Sequence, residues 1–138
     1  MPTSCKIHVV DLVRELLVTL RQRFGEFDVE TTAQGETSIR FAAKHPAVGD
    51  AVIIVESDEV TIHIGSITHG HFNRFDLNEV ERAQAIACDV ECFLASLFTD
   101  QVILWSRRMS GGWRVLGDGE RPNPKADVET FVWSGPLG

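Results

Sequence analysis

The sequence is short of basic residues. Thirteen Lys and Arg stand against 20 Asp and Glu, a net charge of −7 over 138 residues. Broad binding to a phosphate backbone needs clustered Lys and Arg, so this balance excludes general nucleic-acid affinity. Long apolar runs are also missing. No stretch approaches the ~20 residues of a membrane span, so no membrane partner is expected. Cysteine is scarce, with only Cys5, Cys88 and Cys92. An odd count at these spacings is no secreted disulfide framework, and C-x-x-C is absent. His8, Asp11, Arg14 and Glu15 interrupt any signal-peptide core at the N-terminus, so a reducing cytoplasm is the expected compartment. Also absent are the G-x-S-x-G elbow, kinase and lactamase signatures, both glycine-rich nucleotide motifs and a calcium loop. No catalytic residue is assigned on this basis, and no cofactor is expected.

What remains has the size and composition of one soluble domain, spanning 1–138. Val9 to Phe24 is helical in period: Leu12, Val13, Leu16, Leu17, Leu20 and Phe24 share a stripe, and Gly25 follows as a stop. Strand alternation then takes over in Phe27–Ala33, Thr37–Ala43, Ala51–Val55 and Glu59–Ile64. In the last of these, Val60, Ile62 and Ile64 face one way and Glu59, Thr61 and His63 the other. Gly65-Ser66 predicts a bulge or bend, and Ile67–Phe72 reads as a short further strand. Asn78 is a natural N-cap with Glu81 three residues on, opening a second helix that runs to about Phe98. After it come Val102–Trp105, a turn at Ser110-Gly111-Gly112, Trp113–Leu116, a loop over Gly117–Asp127, a last strand Val128–Trp133 and a frayed tail Ser134–Gly138. The expected fold is α+β: a helix, four or five strands, a second helix and three strands. It forms a mainly antiparallel sheet of about six to eight strands with the two amphipathic helices on one face.

Three constellations carry candidate chemistry. His63, His69 and His71 all have odd numbers, so an unbroken extended chain aligns them. With Asp76 nearby, three imidazoles and a carboxylate match a zinc-type divalent metal site. The second is on the second helix, where Ala85, Cys88, Cys92, Ala95 and Ser96 gather opposite the core stripe. Such a small-residue face admits close approach of the first helix or of a second copy of the chain. Asp89 and Glu91 lie beyond the first turn, where the helix dipole gives no reason for acids. Residues 76–100 hold six acidic groups and one basic one, whereas 101–138 hold four acidic and five basic. This polarity points to a basic protein partner met at Asp89, Glu91, Cys88 and Cys92. Third, Trp105, Trp113 and Trp133 are candidates for the wall of an apolar ligand pocket. Arg107, Arg108, Arg114, Arg121 and Lys125 read as a solvated, charged edge of the terminal hairpin.

The leading functional expectation is a non-enzymatic protein-binding module, with a homodimer among its partners. In size, acidity and α+β layout the chain is similar to bacterial toxin-neutralising immunity proteins and type III secretion chaperones, a likeness of architecture without a shared motif. The alternatives are a small metal- or His-dependent enzyme built on the histidines, and a small-ligand-binding domain.

Overall fold

The computed structural model describes residues 9–56, 58–107, 110–124 and 126–137. Cys5, His8, Ser57, Arg108, Lys125 and Gly138 lie outside them. The fold is α+β, with two helices and two antiparallel sheets. Helix α1 (Val9–Phe24) is followed by β1 (Asp28–Thr31), β2 (Thr37–Phe41), β3 (Ala51–Val55), β4 (Val60–Ile64) and β5 (Thr68–Phe72), then helix α2 (Glu79–Phe98). The chain closes with β6 (Val102–Arg107), β7 (Ser110–Val115), β8 (Glu129–Val132) and β9 (Gly135–Pro136). The first five strands form a meander, β1-β2-β3-β4-β5. The last four form a separate sheet in the order β7-β6-β8-β9.

The expectation of one sheet is thus replaced by two. Alternation reveals which side of a strand is buried but not which ladder it joins, because pairing is a non-local choice. Three local expectations also change. Gly65-Ser66 belongs to a three-residue hairpin turn joining β4 to β5, with Ile64 paired to Thr68. Gly65 sits at φ +51, and a Cβ there would come 2.0 Å from the Val48 carbonyl oxygen, so only glycine fits. Ser110-Gly111-Gly112 is strand, paired with Arg107, Ser106 and Trp105. Its glycines serve close approach: a Cβ on Gly111 would lie 1.9 Å from the Ile67 carbonyl oxygen. Finally, the tail adds a strand. Phe131 pairs with Pro136 and Val132 with Gly135, and Ser134 donates from its N–H and its hydroxyl to the Asp100 carboxylate at 3.0 and 2.6 Å.

Helix α2 begins and ends for identifiable reasons. The Asn78 side chain accepts from the Glu81 N–H at 3.0 Å, satisfying one orphan donor of the first turn. At the other end Asp100 takes φ 62. Its N–H reaches the Leu97 carbonyl and that of Gln101 the Ser96 carbonyl, which is a Schellman closure made with Asp in place of Gly. Leu12, Leu16 and Leu20 of α1, and Ile86, Val90, Leu94 and Leu97 of α2, are buried in one cluster with the inward side chains of β2, β3 and β4. Two aromatic knots extend it. Phe24, Phe27, Phe41, Phe98 and Trp133 form one, with rings meeting edge-on or tilted. Phe72, Phe93 and Trp113 join β5, α2 and β7. Among the described residues no helix is long and apolar enough to cross a membrane.

Candidate functional site

The five-stranded sheet has two unlike faces, and register assigns each side chain to one of them. On the inner face Thr37, Ile39, Phe41, Ala51, Ile53, Val55, Val60, Ile62 and Ile64 are all buried. The outer face is composed of two rungs running across the strands. In one, Asp28 pairs with Arg40, Arg40 with Val52, Val52 with His63 and His63 with His69. In the other, Glu30, Ser38, Ile54, Thr61 and His71 follow in the same way. The face thus grades from acidic at β1, through half-exposed Val52 and Ile54, to imidazole at β5.

The hairpin therefore keeps all three candidate histidines on one face. The His63 and His69 ring centroids are 5.4 Å apart, and those of His69 and His71 are 5.0 Å apart. Nδ1 of His71 lies 3.1 Å from Thr61 Oγ1 and 3.6 Å from Glu59 Oε1. Glu59 in turn accepts from Asn73 at 3.4 Å. Thr61 and Glu59 were not assigned to the site from sequence, although their odd numbers place them with His63. Asp76 is occupied elsewhere: Arg74 Nε donates to it at 3.2 Å. Among the described residues no group of three or more His, Cys, Asp and Glu side chains is placed to hold a metal ion.

Beside the histidines, the two sheets meet at a cleft of about 560 Å³, lined by His63, His69, Ser66, Thr68, Ser106 and Ser110 together with Gly65, Ile67 and Gly111. Imidazoles and hydroxyls supply its polar side chains, and among the described residues no carboxylate lines it. A smaller depression of about 120 Å³ lies at the other end of the same face, among Asp28, Glu30, Ser38, Arg40 and Val52.

The acidic candidates on α2 have partners within the chain. Asp89 accepts from Arg74 Nη1 at 3.1 Å, and Glu91 lies 4.0 Å from Arg23 of α1. The hydrogen bond to Asp89, reinforced by the charge of Asp76, pushes the Arg74 guanidinium further toward its charged form. Cys88 and Cys92 are exposed. The tryptophans are dispersed: Trp133 is buried against Phe98, Trp113 sits 4.7 Å from Phe93, and Trp105 covers Gly112. Of the basic patch, Arg114 is held by Glu120 and Arg107 flanks Asp127 and Glu129. No protein-family model, curated protein or solved structure matches the chain.

Proposed function

We propose that this chain is a non-enzymatic protein-binding module whose partner docks on the outer face of the five-stranded sheet. Both helices cover the opposite face in this reading, so the outer face faces outward in the monomer. One observation carries the proposal: an unbroken two-rung surface, apolar at Val52 and Ile54, carboxylate-rimmed by Asp28, Glu30 and Glu59, and indented at both ends. A half-exposed apolar centre inside a polar rim is the general layout of a protein interface. Glu30 and Glu59 on the rim, together with the overall charge, favour a basic partner. Arg74 and Arg23 engage the two α2 carboxylates that pointed to a partner from sequence, as Arg40 engages Asp28 at 3.1 Å on the sheet, so the half-exposed Val52 and Ile54, rather than unpaired acids, favour the sheet over α2. Exposed Cys88 and Cys92 leave α2 as the second-ranked surface, suited to a second copy of the chain.

The test is affinity capture from the source cell by wild type, Ile54→Lys and Asp89→Lys/Glu91→Lys, each checked for folding by circular dichroism. Loss of a stoichiometric partner with Ile54→Lys, and its retention with the α2 double variant, is the expected result. Loss only with the α2 variant would return the surface to that helix, and undiminished capture by both would contradict docking on either.

A further inference from the structure

We propose that the histidine row is a chelating site for one borderline divalent cation of the zinc, nickel and copper class, with His69 and His71 as the ligand pair and His63 facing His69 from the neighbouring strand. This is independent of the partner reading above, because it requires only the metal and this chain. Three observations carry it.

The first is spacing. Two metal–imidazole bonds of ~2.1 Å at a tetrahedral angle set the ring centroids ~5 Å apart. The His69–His71 and His63–His69 separations are 5.0 and 5.4 Å. The rings are not yet aimed at a common point, since the His69–His71 planes cross at 84°. Both side chains are exposed, and rotation of an exposed imidazole about χ2 is soft. Alternate residues of one strand thus supply a chelate whose backbone needs no rearrangement.

The second is the support behind His71. Metal-bound imidazoles characteristically give their other nitrogen to a hydroxyl, carbonyl or carboxylate, which fixes tautomer and orientation. Here Nδ1 of His71 is taken by Thr61 Oγ1 at 3.1 Å, with Glu59 behind at 3.6 Å. Its Nε2 is then left as the ligand atom. Thr61 is itself buried, so this support is rigid.

The third is the donor set. Among the described residues the cleft lining offers the imidazoles of His63 and His69 and the hydroxyls of Ser66, Thr68, Ser106 and Ser110 but no carboxylate, and the Glu59 carboxylate lies on the Nδ1 side of His71. Nitrogen donors select zinc, nickel and copper over magnesium and calcium, which require oxygen. The serine-lined cleft beside His63 and His69 leaves room for water, or a small polar ligand, at the remaining metal positions.

The competing donors are the thiols, so the experiment uses the full chain with Cys5→Ser, Cys88→Ser and Cys92→Ser. Zn²⁺ is titrated calorimetrically into this protein and into the same protein carrying His69→Ala, His71→Ala or His63→Ala. One Zn²⁺ per chain is expected. His69→Ala and His71→Ala should each weaken binding by at least ~10-fold, the minimum worth of an outer-shell partner and hence less than that of a ligand. Melting temperatures without metal should stay unchanged, since these side chains lie outside the core. The electron paramagnetic resonance spectrum of the Cu²⁺ complex should show coupling to imidazole nitrogen. Absence of saturable Zn²⁺ binding would overturn the proposal, as would equal affinity in His69→Ala. Loss with His63→Ala but not with His71→Ala would overturn the assigned pair.

Discussion

The two faces of the five-stranded sheet are made by alternate residues of the same strands, yet they differ in burial and in the variety of their chemistry. Ile53 and Ile62 are fully buried, whereas the adjoining Val52, Ile54 and His63 on the same strands are only partly covered. The inner face is apolar except for Thr37, and its side chains share one core cluster with apolar residues of both helices. The outer face changes chemistry from strand to strand: carboxylates on β1, Arg40 on β2, branched aliphatics on β3, imidazoles on β4 and β5. A face that served only to keep strands soluble would have no need of such a gradient. The difference teaches that strand alternation separates the buried core from a chemically varied open face on a scale of one residue.

Substitutions on the two faces should therefore behave oppositely. The largest effect is expected for Ile62→Ala, which leaves a cavity in a fully buried site; a loss of about 2–5 kcal/mol in urea unfolding follows. Gly111→Ala tests the seam between the sheets. The added methyl meets the Ile67 backbone oxygen rather than a yielding side chain, and a loss of about 1–3 kcal/mol is expected, together with altered proton chemical shifts at His63 and His69 across the cleft. Glu120, in the other half of the molecule, offers a control by pH. Hydrogen bonds from Arg114 and from the Gly117 N–H hold its carboxyl down to about 2, from an ordinary 4.5. A depressed carboxyl stabilises the fold above its ordinary value and loses that contribution as pH falls from 4.5 toward 2. The stability gap between wild type and Glu120→Gln should hence close over that window, without any change at the histidine face. The smallest effect belongs to His69→Ala. Its ring is exposed, and without metal the unfolding free energy should stay within about 0.5 kcal/mol of wild type. A large loss there would make the outer face structural and erase the contrast.

Much of this was legible in the sequence, and the reason is local. The helix over Val9–Phe24, the Asn78 cap, the Ala51–Val55 and Glu59–Ile64 strands and the shared parity of His63, His69 and His71 all follow from period and capping, which neighbouring residues determine. The α+β class with antiparallel pairing follows as well. What escaped depends on distant partners. Nothing local to Gly111 announces the Ile67 carbonyl it must clear, so it resembled a turn. Nothing near Asp89 announces Arg74, fifteen residues earlier, so it resembled an open acid. The division into two sheets and the extra strand at Gly135–Pro136 likewise rest on pairings and on the Asp100–Ser134 bonds across 34 residues. For the candidate site, the histidines were visible, but Asp76 was chosen by nearness in sequence, whereas Glu59 reaches His71 through strand pairing.

The central claim is that the outer sheet face, rather than α2, meets the partner. Site-specific photo-crosslinking in the source cell tests it most directly, with the crosslinker placed at position 54 in one strain and position 88 in another. A discrete adduct from position 54 and none from position 88 is the expected result. An adduct from position 88 alone would contradict the account.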